Sequence, residues 1–158
     1  MGFYFENIDT AVTDVEALPW VPFLPYSDEL HIKLIKADPV RGEWITLLRV
    51  PPNFELPKHR HSGTVHVYTI AGTWKYKEHD WSATPGSFVF ETAGTAHTPV
   101  SIEGEVITLN IVQGDWLVLG EDDAVLAIED WRTVMQRYLN YCQEQKITPV
   151  DLTSFSAA

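Results

Sequence analysis

Between His31 and Leu119 the apolar positions fall into short runs, each cut off by glycine or proline, and near residue 128 the period changes. HIKLIK (31–36) alternates apolar and polar, and Asp38-Pro39 with Gly42 marks a turn. EWITLLRV (43–50) reads as a buried strand closed by Pro51-Pro52, because proline removes a ladder donor. Similar runs lie at 64–70, 73–79 (TWKYKEH), 87–91 (SFVFE), 104–112 (GEVITLNIV) and 115–119 (DWLVL). Gly72, Pro85-Gly86, Gly94 and Gly114 separate them. Many short strands at this spacing predict an all-β chain built as an antiparallel sandwich or barrel.

Both ends break the pattern. In IEDWRTVMQRYLNYC, Trp131, Val134, Met135, Tyr138, Leu139 and Cys142 recur at helical spacing. This predicts a C-terminal helix over 128–145, with Glu129 and Asp130 in its first turn and Lys146 at its far end, as the helix dipole prefers. The helix is expected to cover the mouth or flank of the barrel, with Cys142 as packing and not a nucleophile. Residues 1–30 are rich in proline and aromatic residues (Pro19, Trp20, Pro22, Phe23, Pro25, Tyr26) and read as an ordered arm lying over a core. There is no internal repeat and no low-complexity run. The expectation is one domain over 1–158, with an arm at 1–30, a barrel at 31–120 and the helix.

Composition narrows the function. A chain of 158 residues with 45% hydrophobic content can bury a core. A formal net charge of −11 repels phosphate, so nucleic acid and anionic membranes are poor partners. The single cysteine cannot form an internal disulfide, which is compatible with a reducing compartment, and a cytoplasmic location is expected. The start, MGFYFENIDT, has no basic segment followed by an apolar run, so no signal peptide is expected. Glu6 stands where a myristoylation signal needs Ser or Thr, and no apolar stretch approaches the ~20 residues that span a bilayer.

The candidate chemistry is in PKHRHSGTVHVYTIAG (57–72), which places His59, His61 and His66 within eight positions, followed downstream by His97. Imidazole is the commonest protein ligand for divalent first-row metals. Two histidines at i and i+2 on a strand share one face and can grip one ion. His66 opens the next strand after the Ser62-Gly63-Thr64 turn and can turn back to the same centre. His97 follows Gly94 at the end of another strand, which a closed barrel can bring opposite. His31 and His79 have no such company and read as structural or exposed.

These segments resemble the cupin family. Its first motif runs His-x-His, three or four residues, Glu and then a Gly; this chain has His59-Arg60-His61, four residues, His66 and then Gly72. The second runs Gly, five residues, Pro-x-Gly-x-x-His; this chain has Gly86, five residues and Thr92-Ala93-Gly94-Thr95-Ala96-His97. His66 stands for the usual Glu, Thr92 for Pro and Ser101 for Asn. The resemblance implies a double-stranded β-helix (jelly roll) holding one metal ion on His59, His61 and His97. His66 is then either a fourth ligand or a residue beside the metal that binds or deprotonates substrate. Glu91, six residues before His97, is either an orienting partner for a ligand imidazole, with Lys77 across the sheet, or a solvent-facing strand end.

The finer resemblance is to small cupin dioxygenases that cleave C–C bonds beside ketones. HRHSGTVHVYTIAGTWKY with FETAGTAHTPV is similar to 2,4'-dihydroxyacetophenone dioxygenases, which are related to diketone-cleaving enzymes. This implies Fe(II), with Zn or Ni also accepted by a histidine site. An all-histidine set leaves the site a 2+ charge, which suits an anionic chelating ketone and O2 chemistry. The implied substrates are a small aromatic ketone and O2, giving 4-hydroxybenzoate and formate. Tyr68, Trp74, Tyr76, Phe88 and Phe90 are candidates for an aromatic pocket, of which strand alternation lets only some face inward. Another metal-dependent cupin, such as a diketone dioxygenase or an isomerase, and a non-catalytic metal-binding cupin are the competing readings. Cupins of this size commonly pair, so a homodimer is expected, with the arm (Trp20, Phe23) free to cross to the neighbour.

Overall fold

A computed structural model describes residues 10–153. Ten strands precede one helix: β1 (Val21–Phe23), β2 (Ser27–Asp38), β3 (Glu43–Val50), β4 (His59–His61), β5 (Val65–Tyr76), β6 (Phe88–Glu91), β7 (Ala96–His97), β8 (Pro99–Gln113), β9 (Trp116–Leu119), β10 (Val125–Glu129) and α1 (Trp131–Gln145). All strand pairs are antiparallel. They form a six-stranded sheet in the order β1-β2-β3-β8-β5-β6 and a four-stranded sheet in the order β10-β9-β4-β7. This is the antiparallel all-β architecture that the strand pattern predicts, in the jelly-roll form that the resemblance implies. Side chains from both sheets, including Ile32, Trp44, Val65, Val106, Trp116 and Val118, form one buried core. Antiparallel strands that pack one face on a core alternate inward and outward, as Val21, Pro22 and Phe23 do. Among the described residues no helix is long and apolar enough to cross a membrane.

The strand over 43–50 has the predicted bounds. The runs at 64–70 and 73–79 are instead one strand, β5. Gly72 is not a turn but the bend inside it, where the pairing with β8 shifts register on both sides of Ala71. Its φ of +73° is open to glycine, and a Cβ there would meet the Glu105 carbonyl oxygen at 2.5 Å.

The barrel also begins earlier than position 31, because β1 and the start of β2 belong to the six-stranded sheet. The first nine residues of the predicted arm lie outside the described residues. Trp20 and Phe23 of the arm pack on this chain's own barrel. Phe23 is buried and stacks on Trp116 at 5.2 Å, and Trp20 lies between Lys33 and Arg49.

The helix starts three residues later than expected, because Val125–Glu129 pairs with β9 as a strand. Asp130 is therefore the N-cap and not a first-turn residue: its carboxylate accepts from the Arg132 and Thr133 amides, and Thr133 Oγ1 accepts from the Asp130 amide. Val134, Tyr138 and Cys142 form the buried stripe, so Cys142 is packing as expected. Lys146 closes the helix in the left-handed conformation.

Candidate metal centre

β4 is only three residues long, yet it lies between β7 and β9. His59 pairs directly with His97 on β7, so the two side chains share one face, and His61 repeats that face two residues on. All three point inward and are at least 94% buried (exposures of 5%, 6% and 3%). One ligand atom from each lies within 4.8 Å of the others, and the Nε2 atoms of His59 and His97 are 3.1 Å apart. His59 Nδ1 lies 2.8 Å from the Pro57 carbonyl oxygen, which only a protonated Nδ1 can serve as donor. That fixes the tautomer and leaves Nε2 with its lone pair. Burial, then the neighbouring His97 and His61, hold the His59 imidazole well below the ordinary histidine range, so it is neutral at physiological pH.

Glu91 completes the cluster. It is the last residue of β6, where the chain leaves the six-stranded sheet and crosses to β7 through the Thr92–Thr95 turn. Its Oε2 lies 3.1 Å from His61 Nε2 and 3.2 Å from His97 Nε2, yet no hydrogen bond satisfies it. Tyr76 donates a hydrogen bond to the other oxygen, Oε1, and stacks on the His97 ring at 4.2 Å. Burial alone would raise the Glu91 carboxyl, but His61 and His97 outweigh it and hold the carboxyl below its ordinary value. Burial and then Glu91 push the Tyr76 phenol well above its own, so it stays a donor. A buried carboxylate oxygen without a partner costs free energy unless a cation meets it. Three imidazole nitrogens aimed at the same place are the donor set such a cation needs, so these residues fit a first-row divalent metal.

Residues 9–116 match the family model described as the ChrR cupin-like domain. The chain belongs to this cupin family. The cupin is 51% identical to an RmlC-like cupin protein of Ralstonia eutropha JMP134, over 98% of this chain and all of that one, with a TM-score of 0.92. A second protein of that organism, of unknown function with a cupin-like fold, is 26% identical over 93% of this chain and 95% of its own, with a TM-score of 0.79. An acetylacetone dioxygenase from Acinetobacter johnsonii shares the fold at 19% identity, over 84% of this chain and 91% of that one, with a TM-score of 0.72. No curated protein sequence matches the chain.

The cupin brings His59, His61 and His97 together, and leaves His66 out. His66 sits between the inward-facing Val65 and Val67, so it points to the outer face of β5, where it stacks on Phe90 and Phe88 at 5.4 and 5.8 Å. Neither role expected of His66, fourth ligand or substrate base, has the geometry. The place beside the histidines is taken by Glu91, which faces the Nε2 atoms of His61 and His97 and is not a solvent-facing strand end. The cluster is therefore not all-neutral, since this carboxylate adds one negative charge. Lys77 does not partner Glu91; it pairs with Glu55 at 2.6 Å. His31 and His79 stay apart from the cluster, as expected: His31 Nδ1 lies 3.0 Å from the Glu29 carbonyl and His79 stacks on Trp81.

His59, His61 and Glu91 open on a cavity of about 100 Å³ between the sheets, room for several heavy atoms. Of the five aromatic candidates, Trp74 and Tyr76 line it, whereas Tyr68, Phe88 and Phe90 are exposed on the outside. Trp44, Trp116 and Phe23 line it too. None of these three is among the pocket candidates read from the sequence, although Trp116 stands two residues from Val118 on a strand already identified as apolar.

Proposed function

We propose that this cupin is an Fe(II)-dependent dioxygenase that cleaves the C–C bond beside the carbonyl of a 2-hydroxy aryl ketone such as 2,4'-dihydroxyacetophenone, giving 4-hydroxybenzoate and formate. The observation that carries the reading is the convergence of three imidazoles and one carboxylate on the end of an apolar, tryptophan-lined cavity. Bound there, iron(II) supplies a Lewis acid and the one-electron chemistry that O2 requires.

The protein's own residues do the rest. His59, His61 and His97 would hold the metal, with Glu91 Oε2 beside them. Tyr76 holds the carboxylate and the His97 ring in place. Trp44, Trp74 and Trp116 surround a planar ring and keep water from it. One carboxylate among neutral imidazoles leaves a bound divalent ion a net positive charge, which favours the deprotonated, chelating form of a hydroxyketone. The resemblance of the first motif region to 2,4'-dihydroxyacetophenone dioxygenases supports the aryl ketone, and the structural likeness to an acetylacetone dioxygenase supports ketone cleavage as the wider class.

Oxygen uptake by protein loaded anaerobically with iron(II) tests this. Uptake on adding 2,4'-dihydroxyacetophenone, matched by formate and 4-hydroxybenzoate, is expected. Uptake with acetylacetone alone would move the substrate to diketones. No uptake with either, iron being bound, would sink the oxygenase reading.

A further inference from the structure

The cavity wall opposite His59 and His61 carries two polar side chains with hydrogen-bonding capacity to spare. On β3 and β8, Thr46 and Asn110 are direct cross-strand partners, and Asn110 also faces Val67 on β5. Both line the cavity among apolar neighbours. Thr46 is 2% exposed, and among the described residues no group hydrogen-bonds its hydroxyl. The Asn110 amide nitrogen donates to the Thr108 carbonyl oxygen at 3.2 Å and to Thr108 Oγ1 at 3.0 Å. Its Oδ1 has only the Thr108 hydroxyl, at 3.3 Å, and keeps a lone pair. Buried polar groups normally use their hydrogen-bonding capacity, and spare capacity on this mainly apolar wall is what a ligand's polar group would complete.

The pair's place relative to the metal cluster is set by register. Glu91 pairs with Val65, and Val65 with Val112, so the Thr46–Asn110–Val67 rung is the next inward-facing one along the sheet. Two residues along and two strands across put Asn110 on the order of 12 Å from Glu91, Cα to Cα, by ordinary strand spacing. Both side chains point inward and shorten that span. Trp44, Trp74 and Trp116 line the same cavity.

We propose that Thr46 and Asn110 form a specificity subsite for a hydroxyl at the far end of the ligand: the para-hydroxyl of an aryl ketone donates to Asn110 Oδ1 and accepts from the Thr46 hydroxyl. This rests on the ketone reading above and adds to it which ketones are chosen. An aliphatic diketone has no group to reach this rung, and an unhydroxylated aryl ketone leaves the pair unpaired.

Binding of 4'-hydroxyacetophenone and of acetophenone to zinc-loaded protein, read by calorimetry and by quenching of tryptophan fluorescence, tests the subsite without turnover. The hydroxylated ketone should bind at least about tenfold tighter, the factor for one good hydrogen bond. Thr46→Val, which keeps the shape, and Asn110→Leu should each reduce this preference, and together they should bring the two affinities to within about twofold. Equal affinities in the wild-type protein, no binding of either ketone, or a preference that survives both substitutions would overturn it. The two readings fail separately. A preference lost in the variants without any oxygen uptake keeps the subsite and removes the oxygenase. Ketone-dependent uptake without the preference does the reverse.

Discussion

His66 occupies the position where the first motif usually carries a carboxylate, and the carboxylate beside the histidines arrives from β6. At the scale of single residues this predicts three different behaviours. His97→Ala removes one of three imidazoles and should abolish stable iron binding, read as metal content after gel filtration. Glu91→Ala leaves the imidazoles in place but takes away the carboxylate facing two of them, and metal affinity should fall about 10–100-fold. His66→Ala should leave metal content and affinity unchanged, because its ring lies on the other side of β5. Loss of iron from the His66 variant would mean that the carboxylate is not the group completing the site. The His-x-His pair and His97 were legible in the sequence because motif spacing carries them. For Glu91 the sequence offers both an imidazole partner and a solvent-facing strand end, and the structure chooses the first, because nothing in the sequence says where a strand end meets another sheet.

β6 shows why alternation can mislead at the scale of an element. SFVFE invites the reading that Phe88 and Phe90 face the core, yet they are 62% and 54% exposed and the face with Val89 and Glu91 turns in. Alternation fixes that the two sets differ, not which one is inside. α1 was legible from its period, but its first residues were taken by β10, whose pairing with β9 is a tertiary contact. The helix is clasped by Glu129. Its carboxylate accepts two bonds from Arg137, at 2.7 and 2.9 Å, and one each from Tyr26 and Thr133. Arg137→Met would strand a buried carboxylate and should cost about 3 kcal/mol in urea unfolding. Burial and then Glu129 raise the Tyr26 phenol above its ordinary value of 10.0. The unfolded chain therefore loses that proton first, and stability should fall as pH rises past about 10. In Tyr26→Phe that alkaline slope should be shallower; an unchanged slope would show that Tyr26 is not its source.

At the scale of the whole molecule, Tyr68, Ile70, Phe88 and Phe90 lie exposed together on the outer face of the six-stranded sheet, at the β5–β6 edge. Scattered apolar surface residues are ordinary, but a contiguous group is not. The strand segment 65–74 carries no carboxylate in a chain of net charge −11, so a second copy can approach here without like-charge repulsion. We propose that the expected homodimer forms through this face. Sedimentation equilibrium should give twice 17.9 kDa, and Phe88→Asp with Phe90→Asp should give the monomer. A monomeric wild-type protein would end this expectation and leave the metal centre untouched.

The sequence by itself determined the all-β class, one strand to the residue, the C-terminal helix and the three histidines. All of these are local, written in period, turn residues and motif spacing, which act over a few positions. Which side of β6 is inside, that β5 is one bent strand, that Glu91 and not His66 stands at the cluster, and that Thr46 and Asn110 share a rung were decided only by tertiary structure. Those facts depend on register between strands distant in the chain, and cross-strand pairing joins residues as far apart as Thr46 and Asn110 with no trace in the spacing between them.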